Sequence, residues 1–214
     1  MDDALRVREF WFGKALTGTL QGELASTAVA LKRRMEIWFE TNPQGASQQD
    51  EVVRSQFGDL VDRAVSGELD GWADSPRRLL SLIIVLDQFP RQIYRGTARA
   101  FAYDPAALAL TLSGMQLAAD GALNLVERLF FYMPLQHSEA SEVQDESVSA
   151  YRRLVTESPA ELRSTFETSL QFAEKHRAII RQFGRFPHRN KILERENTPE
   201  ETVYFKKGGE RFGQ

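Results

Sequence analysis

The chain has 214 residues, 42% of them hydrophobic and 27% charged, with a formal net charge of −3 and a pI near 5.7. That length suffices for one large core without staples, and the absence of cysteine excludes disulfides, thiolate metal sites and cysteine nucleophiles. The mild acidity supplies no general field for nucleic acid or an anionic membrane, so any anion site must be local.

The run Met1-Asp2-Asp3-Ala4 is acidic where an export signal would be basic. The longest apolar stretch, 79–86, contains Ser81 and falls short of the ~18–20 residues that span a bilayer. A cytoplasmic protein is the expectation. Trp11-Phe12 and Trp38-Phe39 fall at helical positions, where core packing is their default role. Turn-forming breaks occur at 13–22, 42–45, 67–74, 95–103, 120–121, 134–139 and 184–197. Between them apolar residues recur at three- and four-residue steps: Val53, Phe57, Leu60, Val61 and Ala64; Leu108, Leu112 and Met115; Phe172, His176, Ile179, Ile180 and Phe183.

Ser75-Pro76, Asp104-Pro105, Ser158-Pro159 and Thr198-Pro199 each pair a capping side chain with a proline suited to the first helical position. Thr198 with Glu201 makes a capping box for a last helix through Phe205. No stretch alternates apolar and polar residues between hairpin turns. The predicted fold is all-α: a single domain over 1–207, built as an array of about eight to ten antiparallel helices in hairpins, with a flexible tail at 208–214. No fixed-period repeat is visible.

Three clusters could carry chemistry. Asp87-Gln88-Phe89-Pro90-Arg91 continues to Arg95 and Arg99; guanidinium forks suit carboxylates or phosphates, although Arg91 and Arg95 could equally pair inside the fold with Asp87, Asp104 or a helix C-terminus. In Tyr132-Met133-Pro134-Leu135-Gln136-His137-Ser138-Glu139, Glu139 could orient His137 as an acid/base pair. A metal pair completed by another histidine is the alternative, and in the plainer reading Ser138 caps the next helix while Glu139 and Glu142 decorate its first turn. Phe183-Gly184-Arg185-Phe186-Pro187-His188-Arg189-Asn190, with Arg195, gathers positive charge beside a helix start, which favours an anion. Gly184 fits a left-handed helix stop, and His176 fits a buried structural histidine. Each cluster joins an aromatic residue to a proline expected to end a helix.

Together these clusters resemble the mainly bacterial family catalogued as "domain of unknown function 924", in order and over nearly the whole chain, from Phe10-Trp11-Phe12-Gly13 to Thr198-Pro199-Glu200-Glu201. The resemblance implies an all-α fold related to tetratricopeptide-like hairpins and supplies no biochemical role. Members of that family usually read Pro-Arg-Asn where this chain has Pro90-Arg91-Gln92, and Ile-Leu-Gly-Arg where it has Ile192-Leu193-Glu194-Arg195.

Three readings follow. In the first, Arg91, Arg95, His137, Arg185, His188 and Arg189 converge on one concave site for a small anion or an acidic peptide end, with no cofactor, nucleic acid or membrane. In the second, the protein is a hydrolase with His137 as base, Glu139 as its partner and the arginines facing developing charge; a metal-assisted variant uses His137, His188 and a carboxylate. In the third, the clusters form one buried polar network that fixes helix docking.

Overall fold

The computed structural model describes residues 2–17, 24–39 and 43–211. Its helices are α1 (Asp3–Phe12), α2 (Leu24–Trp38), α3 (Pro43–Val65), α4 (Pro76–Ile93), α5 (Asp104–Gln116), α6 (Leu125–Phe131), α7 (Met133–His137), α8 (Ser141–Glu157), α9 (Ala160–Phe183) and α10 (Pro199–Lys206), with short 3₁₀ turns at Lys14–Leu16, Asp70–Asp74, Ala98–Phe101, Ala119–Ala122 and Pro187–Arg189. The described residues contain no strand, so the all-α expectation holds. Helix lengths range from 5 residues in α7 to 24 in α9, so no regular repeat organises the array. No described helix is long and apolar enough to cross a membrane.

α4 is the hub. Leu79 through Asp87 are all buried, the all-round burial of a helix enclosed on every side, and α4 packs against α1, α3, α5, α6 and α7. α8 and α9, separated by Ser158 and Pro159, pair as a hairpin. One core cluster runs from Ala4 in α1 to Ala173 in α9, with Phe57, Phe89, Trp11 and Phe130 in contact at its centre. A smaller cluster of Ile179, Ile180 and Phe186, with Phe183 and Tyr204, seats α10.

The α3 stripe is buried as expected. On α5 the core face is a neighbouring one, made of Ala107, Thr111 and Gly114, because small residues let the helix lie close to α4 and to Phe131 at the end of α6. Phe39, one residue past α2, is half exposed, and so is Phe172 on α9; neither belongs to the core. The expected break at 13–22 extends beyond the described residues, as does part of the break at 42–45. Residues 208–211 fold back on α10: the Glu210 amide donates to the Tyr204 hydroxyl at 2.8 Å, and Arg211 lies over Phe205. Residues 212–214 of the expected tail lie outside the described residues.

The helix-start signals are realised unevenly. Thr198 and Glu201 form the full capping box, and Asn124 with Glu127 forms a second that the proline pairs had overshadowed. Ser75 stands at the N-cap of α4 without a side-chain bond, Ser158 turns back to the Val155 carbonyl, and Asp104 is itself the first residue of α5 with its carboxylate committed elsewhere. Pro90 does not end its helix: it lies inside α4, which continues to Ile93. Gly184 adopts the left-handed stop with its amide on the Ile180 carbonyl.

A Cβ on Gly114 would stand 2.7 Å from Phe131 Cζ and 2.8 Å from Leu79 Cδ2, both on buried residues. Gly114→Ala is therefore expected to lose about 1–3 kcal/mol by overpacking, outweighing the ~1 kcal/mol that alanine gains in helix propensity. Urea unfolding of the two proteins measures the difference.

Candidate functional site

One turn of α4 separates Asp87 from Arg91, which places both on the same face. Asp87 is fully buried. One of its oxygens accepts a hydrogen bond from His137 Nδ1 at 2.7 Å and the other accepts from Gln88. Burial opposes the charge on this carboxylate, but His137 and Arg91 (3.4 Å) outweigh it and hold the group well below the usual carboxylate range. Arg91 donates to the Asp87 carbonyl at 2.6 Å and forks onto Asp104 at 2.8 and 2.9 Å.

Arg189 closes the same knot from the far end of the chain. It donates to Asp104 at 3.2 Å and to the His137 carbonyl at 3.1 Å, and its guanidinium lies between the rings of Phe101 and Phe186 at 4.6 and 4.7 Å. Its Nε is buried without a partner. Burial lowers its pKa to about 10, so it stays charged at neutral pH. Two carboxylates and two guanidiniums meet here, and their charges cancel.

Two satellite knots pin the surrounding turns. Glu139 accepts both prongs of Arg195 at 2.9 and 3.1 Å and the Phe186 amide at 2.8 Å. Glu201 accepts both prongs of Arg185 at 2.7 and 2.8 Å, Asn190 Nδ2 at 3.0 Å and the Thr198 amide at 2.8 Å. Gln144 donates to the carbonyls of Leu135, Gln136 and Ser138, which stiffens the segment that carries His137.

The sequence-predicted residues separate into distinct environments. Arg91, His137 and Arg189 do come together. Arg95 instead forks onto Asp50 of α3 at 2.6 and 2.9 Å, and Arg185 belongs to the Glu201 knot, so the six do not share one concave site. Each of the four arginines already has a carboxylate within the fold. The His137–Glu139 pair is also not formed: Glu139 is taken by Arg195, and the carboxylate on His137 is Asp87, fifty residues upstream. Ser138 accepts from the Ala140 amide at 3.2 Å, and Ala140, not Ser138, is the N-cap of α8. Among the described residues no group of three or more His, Cys, Asp or Glu is placed to hold a metal, so the His137–His188 metal arrangement is not formed either.

His176 is buried, its Nδ1 on the Phe172 carbonyl at 2.7 Å. Its ring centroid lies 6.5 Å from that of His137 and 5.5 Å from that of Phe186. His188 lies beside Phe186, at 5.4 Å. Burial, then neighbouring positive groups, brings His188 down to about 3; burial likewise brings His176 to about 3 and also lowers His137. His188 and Pro187 line a cleft of about 400 Å³ together with Lys191, Thr202, Lys206 and Arg211. Sequence reasoning had passed over Lys191, Lys206 and Arg211; Lys191 stands only three residues beyond His188, but nothing local brings Lys206 and Arg211 to it.

A family model described as "Bacterial protein of unknown function (DUF924)" matches residues 7–209. Among solved structures, a protein of unknown function from Agrobacterium tumefaciens is similar with a TM-score of 0.72 and 35% sequence identity, over 86% of this chain and 98% of that one. No curated protein matches the chain.

Two outcomes follow from the geometry. The three imidazoles are held neutral in the fold, so their folded pKa values lie below the unfolded ~6.5. Their stabilising contribution is complete above that value and is lost as pH falls towards about 3 for His176 and His188, at up to ~1.4 kcal/mol per pH unit for each group. Urea unfolding at pH 7 and pH 5 should register a clear loss at pH 5, and the H176Q/H188Q double variant should flatten it. Separately, Glu194 holds φ +54° in the turn that delivers Arg195 to Glu139, a conformation that costs a side chain ~1–2 kcal/mol. Glu194→Gly is expected to raise stability by about 1 kcal/mol, part of the gain being offset by glycine's flexibility when unfolded, and the thermal midpoint should rise by a few degrees.

Proposed function

The chain belongs to this bacterial family of unknown function, and within it we propose that it is a binding protein for a small anion or the acidic end of a peptide, held in the cleft beside Pro187–Arg189. One observation carries the reading: Lys191, Lys206 and Arg211 line a single cleft with His188 and no carboxylate, in a chain whose net charge is −3. None of the three forms an ion pair among the described residues, whereas Arg91, Arg95, Arg185 and Arg189 are all neutralised internally.

His188 contributes to such a site as a neutral hydrogen-bonding group. Phe205 supports Arg211 from below, its ring centroid 4.4 Å from the guanidinium carbon, which favours a planar fork suited to a carboxylate. On this reading the buried knots act as the frame. Arg189 and Asn190 are drawn inward, and the turn that contains them presents His188 outward.

Titration of the full chain with a tetraglutamate peptide at low ionic strength is expected to show binding that weakens as salt screens the exposed charges. K191A/K206A/R211A should weaken it roughly 10- to 100-fold, as three exposed ion pairs of ~0.3–1 kcal/mol each would require. Equal affinity in the variant and the parent would overturn the assignment.

A further inference from the structure

We propose that His137 is a general base whose Nε2 removes a proton from water attacking a small uncharged acyl ester, with buried Asp87 as the positioning residue that fixes the ring. This activity is separate from the anion cleft and does not depend on it.

The geometry rests on two ends of one imidazole. Nδ1 lies 2.7 Å from Asp87 Oδ1; since that carboxylate is ionised, Nδ1 carries the proton and Nε2 holds a lone pair. Among the described residues Nε2 has no hydrogen-bond partner, yet it is not among the buried polar atoms left unpaired, and the His137 side chain is 15% exposed. The lone pair therefore meets solvent. His137 has a carboxylate on one ring nitrogen and solvent at the other, the division of roles that makes an imidazole an oriented base.

The ring cannot easily turn away. Asp87 sits on the enclosed central helix, held by Gln88 and Arg91, and the His137 carbonyl is held by Arg189. The groups around the imidazole are Asp87 and Arg91 from α4, Asp104 from α5, His176 from α9, and His188 and Arg189 from the Pro187–Arg189 turn. Burial and Arg91 keep His137 neutral at pH 7, while Asp87 stabilises the imidazolium once the proton arrives.

The substrate class follows from size and charge. Arg91, Asp104 and His137 side chains are only 14%, 14% and 15% exposed, so a small group alone can reach Nε2. Asp87 and Asp104 cancel Arg91 and Arg189, so nothing draws in a charged one. In the step, water oxygen bonds to the acyl carbon as its proton passes to Nε2. The tetrahedral oxyanion then collapses, the ester C–O bond breaks, and the Nε2 proton passes to the departing oxygen, leaving a carboxylic acid and an alcohol with His137 neutral again.

Hydrolysis of p-nitrophenyl acetate by the full chain between pH 5 and 8 provides the test. The rate should rise through a single ionisation below 6.5 and then level off, with H137Q lowering the plateau at least tenfold and D87N shifting the profile. Because either variant could misfold, nitrogen NMR of the unaltered protein gives a second readout: at pH 7 the His137 ring should carry its proton on Nδ1 and not on Nε2. A proton on Nε2, or hydrolysis by folded H137Q equal to that of the parent, would refute the proposal.

Discussion

Asp104 accepts hydrogen bonds from two guanidiniums nearly a hundred residues apart in the chain, and the architecture around the three motifs depends on that sharing. Arg91 reaches it from the central helix and Arg189 from the turn before α10. With Asp87, the carboxylates balance the arginines one for one. Removing either partner would leave an unpaired charge in the interior, typically at a cost of about 3–5 kcal/mol. That requirement fixes α4, α5 and the C-terminal turn relative to one another in a way that apolar packing, which is non-directional, does not.

The same requirement separates frame from surface. Arg185, Arg189 and Arg195 lie within eleven residues of one another and look like one cationic patch, but each is drawn into a knot with its own carboxylate: Glu201, Asp104 and Glu139 respectively. Lys191, Lys206 and Arg211, less conspicuous in the sequence, stand outside these knots and line one cleft. His137 and His188 similarly diverge. The first faces a carboxylate on one side and solvent on the other; the second faces the cationic cleft.

The class of the fold and several individual elements were legible locally. The α3 stripe of Val53, Phe57, Leu60 and Val61 is buried as its spacing indicates, Thr198–Glu201 closes its capping box, and Gly184 stops α9. The internal pairing of Arg91 with Asp104 was among the alternatives that the residues allowed. Less legible was the core face of α5, where periodicity favours Leu108, Leu112 and Met115 but close approach favours Ala107, Thr111 and Gly114. Pro90 was misleading for a similar reason: a missing amide weakens a helix, but a helix enclosed on all sides by packing can continue through it.

What the sequence determined by itself is what nearest neighbours along the chain determine: helical periodicity, caps, stops, and the grouping of arginines and histidines near three prolines. Tertiary structure alone decided the partners. Glu139 lies two residues from His137 and is bound to Arg195, whereas Asp87, fifty residues away, holds the imidazole. Charged side chains are long and their attraction is felt over several ångströms, so in a closed interior they take the opposite charge that folding brings within reach, whatever its distance along the chain.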